Sequence, residues 1–226
     1  MVVMVIYVKA PRPGQVKTRL FPVLHPAEAA EVYQLSLQTV VEQVESLGAV
    51  HSQIWTFGEE DQNYLEALFP HRSFRTQTSG DLGERMWHTF ATLFQEKEGP
   101  VFILGSDAPT LPTEFLRQGI QLIKQYDCVL GPTRDGGYYT LGLRRIDRKI
   151  FQGISWSQSS VLSETVAHLK SLGWSYQLLP EWYDIDRPED LTLAWQDLEN
   201  LHERTRYQEK LRVYLQNIKG ECHGAS

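Results

Sequence analysis

The apolar positions of this chain follow two rhythms. Short unbroken runs predict buried strands, and longer stretches with apolar residues three or four apart predict helices. Val2–Val8 is the first run. Tyr33, Leu37, Val40, Val41, Val44 and Leu47 then recur at helical spacing, and Gly48 closes that helix. Val50–Phe57 reads as a second strand, Asp61–Phe69 as a short helix capped by Asp61, and Ser73–Gln77 as a short strand. Leu82, Met86, Phe90 and Leu93 share one face of a further helix. Val101–Leu104, bounded by Gly99-Pro100 and Gly105-Ser106, has the form of a strand buried on both faces. A helix over Thr113–Tyr126 and a strand over Cys128–Leu130 come next. Asp135-Gly136-Gly137 turns the chain back into a strand over Tyr138–Leu143. The remainder reads as a helix over Val161–Leu172 capped by Ser159 or Ser160, a strand over Ser175–Leu179, and a C-terminal helix over 188–218 with a break near Asn200–Glu203. Strands alternating with helices predict an α/β fold, a mainly parallel sheet with helices on both faces. One domain is expected over residues 1–219, with a loose tail over 220–226.

Composition narrows the class. A chain of 226 residues is long enough for one large domain with a substantial core and short for two. A net charge of −6 argues against non-specific nucleic-acid binding, which needs basic patches, but leaves room for a local basic pocket. Two cysteines, Cys128 in an apolar run and Cys222 near the end, suggest neither a disulfide framework nor a thiolate metal site. The apolar run at the start has no basic flank before it and meets Lys9 at once, so it reads as a strand rather than a leader or membrane span. A soluble cytoplasmic protein is expected. The long C-terminal helix is a candidate homodimer contact.

Candidate chemistry gathers where strands end. After the first strand, KAPRPGQVKTRLFP (Lys9–Pro22) is too rich in Pro and Gly for regular structure and carries Lys9, Arg12, Lys17 and Arg19. In a doubly wound fold a nucleotide phosphate sits at such a place. Gly14–Thr18 is no P-loop: Val16 stands where glycine must precede the lysine, and Phe21-Pro22 interrupts any following helix. Asp107 follows the Val101–Leu104 strand in Ser-Asp-Ala-Pro. It suits a metal-binding carboxylate or a turn residue equally well. Asp81, in Gly-Asp-Leu-Gly, is a helix cap or a ligand-facing acid. Arg85 on the following turn could meet a phosphate, a carboxylate or a neighbouring acid. Asp135 is explained by its turn, although Arg134 and Tyr138-Tyr139 beside it suggest a substrate-facing loop. Asp186 stands three residues before Glu189 with Pro188 between, which is the spacing of a capping box. Asp184 has no such structural role, and in an extended segment its carboxylate points the same way as that of Asp186. Cations for phosphate, carboxylates for a divalent ion and glycines for close approach suit transfer chemistry on a nucleoside di- or triphosphate.

Five motifs in order, KAPRPGQVKTRL, SGDLGERM, LGSDAPTL, GPTRDGGYYTLGL and DIDRPEDL, resemble the GT-A-fold radical-SAM/selenodomain-associated transferases, some of them assigned to arsenosugar biosynthesis. More distantly the chain is similar to molybdenum-cofactor and phospholactate guanylyltransferases. The resemblance implies a single-domain, GT-A-like three-layer fold. In it Asp107 would bind Mg²⁺ or Mn²⁺, with Asp184 or Asp186 completing the site, and Arg12, Lys17 and Arg19 would contact phosphates. The chain departs from the pattern in two places. The usual Asp-x-Asp is reduced to one acid at Asp107, and Arg187 replaces an expected small residue.

The expectation is a metal-dependent glycosyltransferase that takes a nucleotide-sugar donor and a small-molecule acceptor. Asp107, Asp135 and Lys17 are the catalytic candidates. Lys9, Arg12, Lys17, Arg19, Asp81 and Arg85 are the nucleotide or phosphate candidates, and Asp107, Asp184 and Asp186 the metal candidates. A nucleotidyltransferase releasing pyrophosphate and a non-catalytic nucleotide-binding module are the alternatives.

Overall fold

The computed structural model describes residues 1–48 and 50–223. The chain partitions into two compact units. The first comprises Met1–Ala10, Leu47–Gly105 and Pro112–Tyr183, and the second Pro11–Ser46, Ser106–Leu111 and Asp184–Ser226.

The first unit holds a seven-stranded sheet: β1 (Val2–Val8), β2 (Val50–Thr56), β3 (Phe74–Thr76), β4 (Val101–Leu104), β5 (Cys128–Pro132), β6 (Tyr138–Leu143) and β7 (Tyr176–Leu178). Their spatial order is β3-β2-β1-β4-β6-β5-β7. β1 runs parallel to β2 and to β4, with Val3 opposite both His51 and Val101, while β6 lies antiparallel between β4 and β5. The expected α/β class and mainly parallel sheet are therefore what the chain forms. From β1 the order proceeds outward to β2 and β3 on one side, and resumes with β4 on the other. The boundary between β1 and β4 is thus the switch point outside which open α/β sheets bind ligands. Lys9–Pro22 leaves the carboxyl end of β1, and Gly105–Leu111 leaves that of β4.

β1 and β4 read as unbroken apolar runs because both faces are buried: Val3, Val5, Val101 and Ile103 pack in one cluster with Phe90, Leu93, Leu130, Leu141 and Leu143, and the alternate residues Met4, Ile6, Phe102 and Leu104 are buried as well. The helices of this unit are α2 (Glu59–Leu68), α3 (Leu82–Gln95), α4 (Thr113–Leu122) and α5 (Val161–Ser171). Three expectations are corrected. α2 starts earlier, with Gly58 at its cap, and Asp61 instead accepts a hydrogen bond from the Ala10 backbone at 2.9 Å. α4 stops at Leu122, short of Tyr126. Ser160 occupies the α5 cap position but makes no capping bond with its side chain.

The second unit holds α1 (Pro26–Ser46), α6 (Pro188–Asn200) and α7 (Arg206–His223), together with the basic loop and Ser106–Leu111. α1 buries Tyr33, Leu37, Val40, Val41 and Val44 as read from the sequence, and Ala29 and Val32 besides, while Leu47 falls just beyond its end. The break expected near Asn200–Glu203 is present and separates α6 from α7, and helix continues to His223 where a tail was expected from residue 220. Residues 224–226 of that tail lie outside the described residues. No described helix is long and apolar enough to cross a membrane.

Candidate functional site

The second unit gathers four charges. Lys17 has φ of 50° and ψ of 37°, the left-handed region that a non-glycine residue enters at a cost, and it opens a single 3-10 turn over Thr18–Leu20. That bend carries the lysine inward, and its side chain is only 5% exposed. The ammonium lies 2.8 Å from Asp107 Oδ1, 4.0 Å from Asp186 Oδ1 and 5.9 Å from the centre of the Tyr33 ring. The Asp107 contact is close but poorly directed: Oδ1 is buried and accepts no hydrogen bond in proper geometry. Arg19 pairs through Nη1 with Asp186 Oδ2. Two carboxylates thus share one nearly buried ammonium, and an exposed guanidinium backs one of them.

The backbone around this cluster is tied down. Ile185, fully buried, donates its N–H to the Asp107 carbonyl at 2.9 Å, so the Asp184–Asp186 segment is fixed beside Asp107. The Tyr33 and Ser106 hydroxyls meet at 2.9 Å. Gln43 Nε2 donates to the carbonyls of Pro109 and Leu111 at 3.2 and 2.9 Å, and Gln208 Nε2 to that of Pro109 at 3.3 Å. Sequence reasoning missed Tyr33, Gln43 and Gln208. A buried polar residue within the apolar periodicity of α1 was the available signal for Gln43.

The cap expected of Asp186 is corrected. Asp190 performs it, its Oδ2 accepting from the Asp186 and Arg187 backbones at 3.0 and 2.7 Å. Asp186 lies one residue outside the helix cap, and its carboxylate turns to Lys17 and Arg19 instead. Asp184 is half-buried two residues earlier, and Arg12 is half-buried in the basic loop.

The first unit holds the other candidates. Lys9 and Arg85 both lie over the half-exposed Phe57 ring, at 5.1 and 4.9 Å from its centre. Arg85 donates to Gln77 Oε1 at 2.9 Å and to the Asp81 carbonyl at 3.3 Å, and burial lowers its pKa. Asp81 caps α3 in a full capping box. Its Oδ1 accepts from the Glu84 backbone at 2.8 Å, and Glu84 Oε2 accepts from the Asp81 backbone at 3.2 Å. Asp135 Oδ1 accepts from Thr133 Oγ1 at 2.6 Å and from the Gly137 backbone at 3.2 Å, while Gly136 takes φ of 88°. One oxygen of Asp135 is thus committed to the turn.

Among the described residues no three His, Cys, Asp or Glu side chains gather as a metal-holding group. Asp107 and Asp186 nevertheless fit a divalent ion of the Mg²⁺ kind, which takes one or two carboxylates and draws its other oxygens from phosphate and water. The buried Asp107 oxygen without a hydrogen bond is the atom such an ion would satisfy.

A family model described as "Uncharacterized protein conserved in bacteria (DUF2064)" matches residues 40–158, just over half of the chain. The chain belongs to the DUF2064 family. This DUF2064 protein is also similar, at 30% identity, to a solved "putative nucleotide-diphospho-sugar transferase" from Desulfovibrio desulfuricans G20; the match covers 97% of each chain with a TM-score of 0.86. The fold alone is shared with more distant structures. A 4-diphosphocytidyl-2C-methyl-D-erythritol synthase aligns with a TM-score of 0.59 at 13% identity, covering 87% of this chain and 97% of that one. A CMP:2-keto-3-deoxy-manno-octonic acid synthetase complexed with CTP aligns with a TM-score of 0.54 at 11% identity, covering 85% and 95%. No curated protein matches this sequence.

Proposed function

We propose that this DUF2064 protein is a nucleotide-using transferase, and more narrowly a glycosyltransferase that takes a nucleotide-sugar donor. The convergence of Asp107, Asp186 and Arg19 on or around the Lys17 ammonium carries the reading. A nearly buried lysine held in a left-handed bend is a preorganised cation, and such a group stabilises charge developing on a departing diphosphate. Arg19, exposed beside it, would supply a second phosphate contact, and Arg12 and Lys9 further ones. Asp107 and Asp186 would hold Mg²⁺ or Mn²⁺, with Asp184 as the further metal candidate. When bound, the ion supplies neutralisation of phosphate charge. Asp107 also keeps the Lys17 ammonium in place before donor arrives. Asp135 would orient an acceptor hydroxyl through the oxygen its turn does not use. The similarity to the Desulfovibrio protein supports the donor class. The motif resemblance to radical-SAM/selenodomain-associated transferases supports glycosyl transfer of the arsenosugar kind as the narrower proposal, in the cytoplasm.

A thermal-shift screen of nucleotides and nucleotide sugars, each with and without Mg²⁺ or Mn²⁺, tests the reading, since stabilisation follows affinity by mass action. A nucleotide sugar should raise the melting temperature, and more so with metal. No shift from any of them would sink the proposal. Pyrophosphate release from a nucleoside triphosphate, with no turnover of sugar nucleotides, would favour nucleotidyl transfer; binding without any turnover would point to a non-catalytic module.

A further inference from the structure

A pocket of about 240 Å³ opens at the start of α3, within the first unit, and no residue of the Lys17 cluster lines it. Its walls are aromatic, with Trp87, Phe151 and Trp156, and its polar groups include Asp81, Glu84 and Arg148. Local sequence builds each wall. The capping box uses Asp81 Oδ1 and Glu84 Oε2, so the second oxygen of each carboxylate lies outside those bonds. Gly83 sits between them on the first turn. A Cβ there would come within 2.5 Å of the Trp156 indole nitrogen, so glycine is what lets the indole lie against the helix backbone. Trp87 is held by the edge of Phe151, centroids 6.2 Å apart at 61°, and by the Arg148 guanidinium 5.9 Å from its ring centre.

We propose that this pocket binds one neutral hydroxylated ring, a monosaccharide or a cyclitol. Such a ring has an apolar C–H face and an equatorial belt of hydroxyls. Indole and phenyl walls suit the first, and paired carboxylates accept strong charge-assisted hydrogen bonds from the second. Arg148 can donate to the hydroxyl oxygens. Two carboxylates at the rim repel phosphate, which separates this pocket from the nucleotide reading. The volume is below the roughly 300–1,000 Å³ of sites for drug-sized ligands, and it suits one ring rather than a nucleoside. The assignment does not rest on the proposed transferase activity, because binding is read here without turnover.

Intrinsic tryptophan fluorescence of the full chain tests it. D-glucose, D-galactose, N-acetyl-D-glucosamine and myo-inositol are titrated into the millimolar range, with adenosine and guanosine as comparators. At least one of the four rings should give a saturable change. Asp81→Asn and Glu84→Gln keep residues that cap helices, so circular dichroism should be unchanged while each weakens binding about threefold or more. Gly83→Ala favours the helix but displaces the Trp156 indole, and should weaken binding roughly tenfold. The proposal is overturned if none of the four rings saturates, if all three variants bind like the parent, or if a nucleoside saturates the signal where the rings do not.

Discussion

Asp127 and Asp107 both meet cations, and they are satisfied to very different degrees. Asp127, just before β5, accepts from Arg144 at 3.0 Å, Arg145 at 3.1 Å, and the Ser175 backbone and hydroxyl, each at 2.9 Å. Its bonds join the start of β5 to the residues after β6 and before β7, and both carboxylate oxygens are satisfied, Oδ1 by one donor and Oδ2 by three. Asp107 has an ammonium at 2.8 Å, yet that oxygen makes no well-directed hydrogen bond and shares its cation with Asp186. The lysine that serves it pays in backbone strain. A saturated ion cluster on relaxed backbone is a staple. An under-satisfied one on strained backbone is poised for something else to arrive, and that difference is the ground on which Asp107 is proposed as functional, whereas the bonds of Asp127 are structural.

The largest effect should come from breaking the poised cluster. Asp107→Asn keeps the shape and removes the charge, and turnover of the preferred donor should fall about 10²–10³-fold. The melting temperature without ligand should fall only modestly, because Asp186 still faces the Lys17 ammonium at 4.0 Å. Steady-state kinetics beside a thermal scan would show both. Lys17→Met, next in size, should cost roughly 10²-fold in turnover through the lost phosphate contact. If either substitution lowered the melting temperature by several degrees while the folded protein kept the parent's turnover, the contrast with Asp127 would be reversed.

The contrast was only partly legible in the sequence. Strands β1 and β4 announce themselves as apolar runs, and the helical spacing of α1 and α3 gave their buried faces, because periodicity reports burial directly. The Asp81 cap was readable for the same reason, being a local bond between residues three apart. Asp186 was misread on that logic: its spacing to Glu189 imitates a capping box, whereas Asp190 caps the helix and sets Asp186 free for Lys17. Nothing local could reveal that choice, because Lys17 and Asp186 are far apart in the chain. The strain at Lys17 was equally invisible, since a lysine carries no sequence mark of a left-handed backbone. Tyr33 and Gln208 hide among apolar or surface positions and declare themselves only through their partners, whereas Gln43 interrupts the apolar periodicity of α1.

The staple is tested by Asp127→Ala, a smaller effect of a different kind. Burial by itself raises the Asp127 carboxyl, but the hydrogen bonds from Arg144 and Ser175, with the Arg145 charge, outweigh it and hold the group below its ordinary value. A carboxyl depressed in the folded state stabilises above its unfolded pKa, about 3.9, and that stabilisation is lost as pH falls through the folded value. The variant should lose about 2 kcal/mol at neutral pH, roughly 4–8 °C in melting temperature, with turnover unchanged. The gap between parent and variant should then begin to narrow as pH falls below about 4 and close only once pH is below the depressed folded value, where the folded parent too has lost the charge. A gap that stayed constant down to acid pH would mean that Asp127 acts through packing.

The smallest effect should come from Asp190, which belongs to both sides of the comparison. It is a structural cap, and the backbone it holds is that of Asp186. Asp190→Ala removes two acceptor contacts at the first turn of α6 and should cost about 1 kcal/mol, within the usual range for a lost cap. Asp190→Asn, which can still accept from those N–H groups, should recover most of it. Turnover should respond differently. Ile185 remains bonded to Asp107, so Asp186 keeps its place in the chain but loses its fixed orientation. A decrease of about threefold in kcat for Asp190→Ala, restored by Asp190→Asn in step with stability, would show that the cap orients the Asp186 carboxylate. If kcat held steady while the melting temperature fell, the cap would be purely a staple, and Asp186 would owe its place to Arg19 and Lys17.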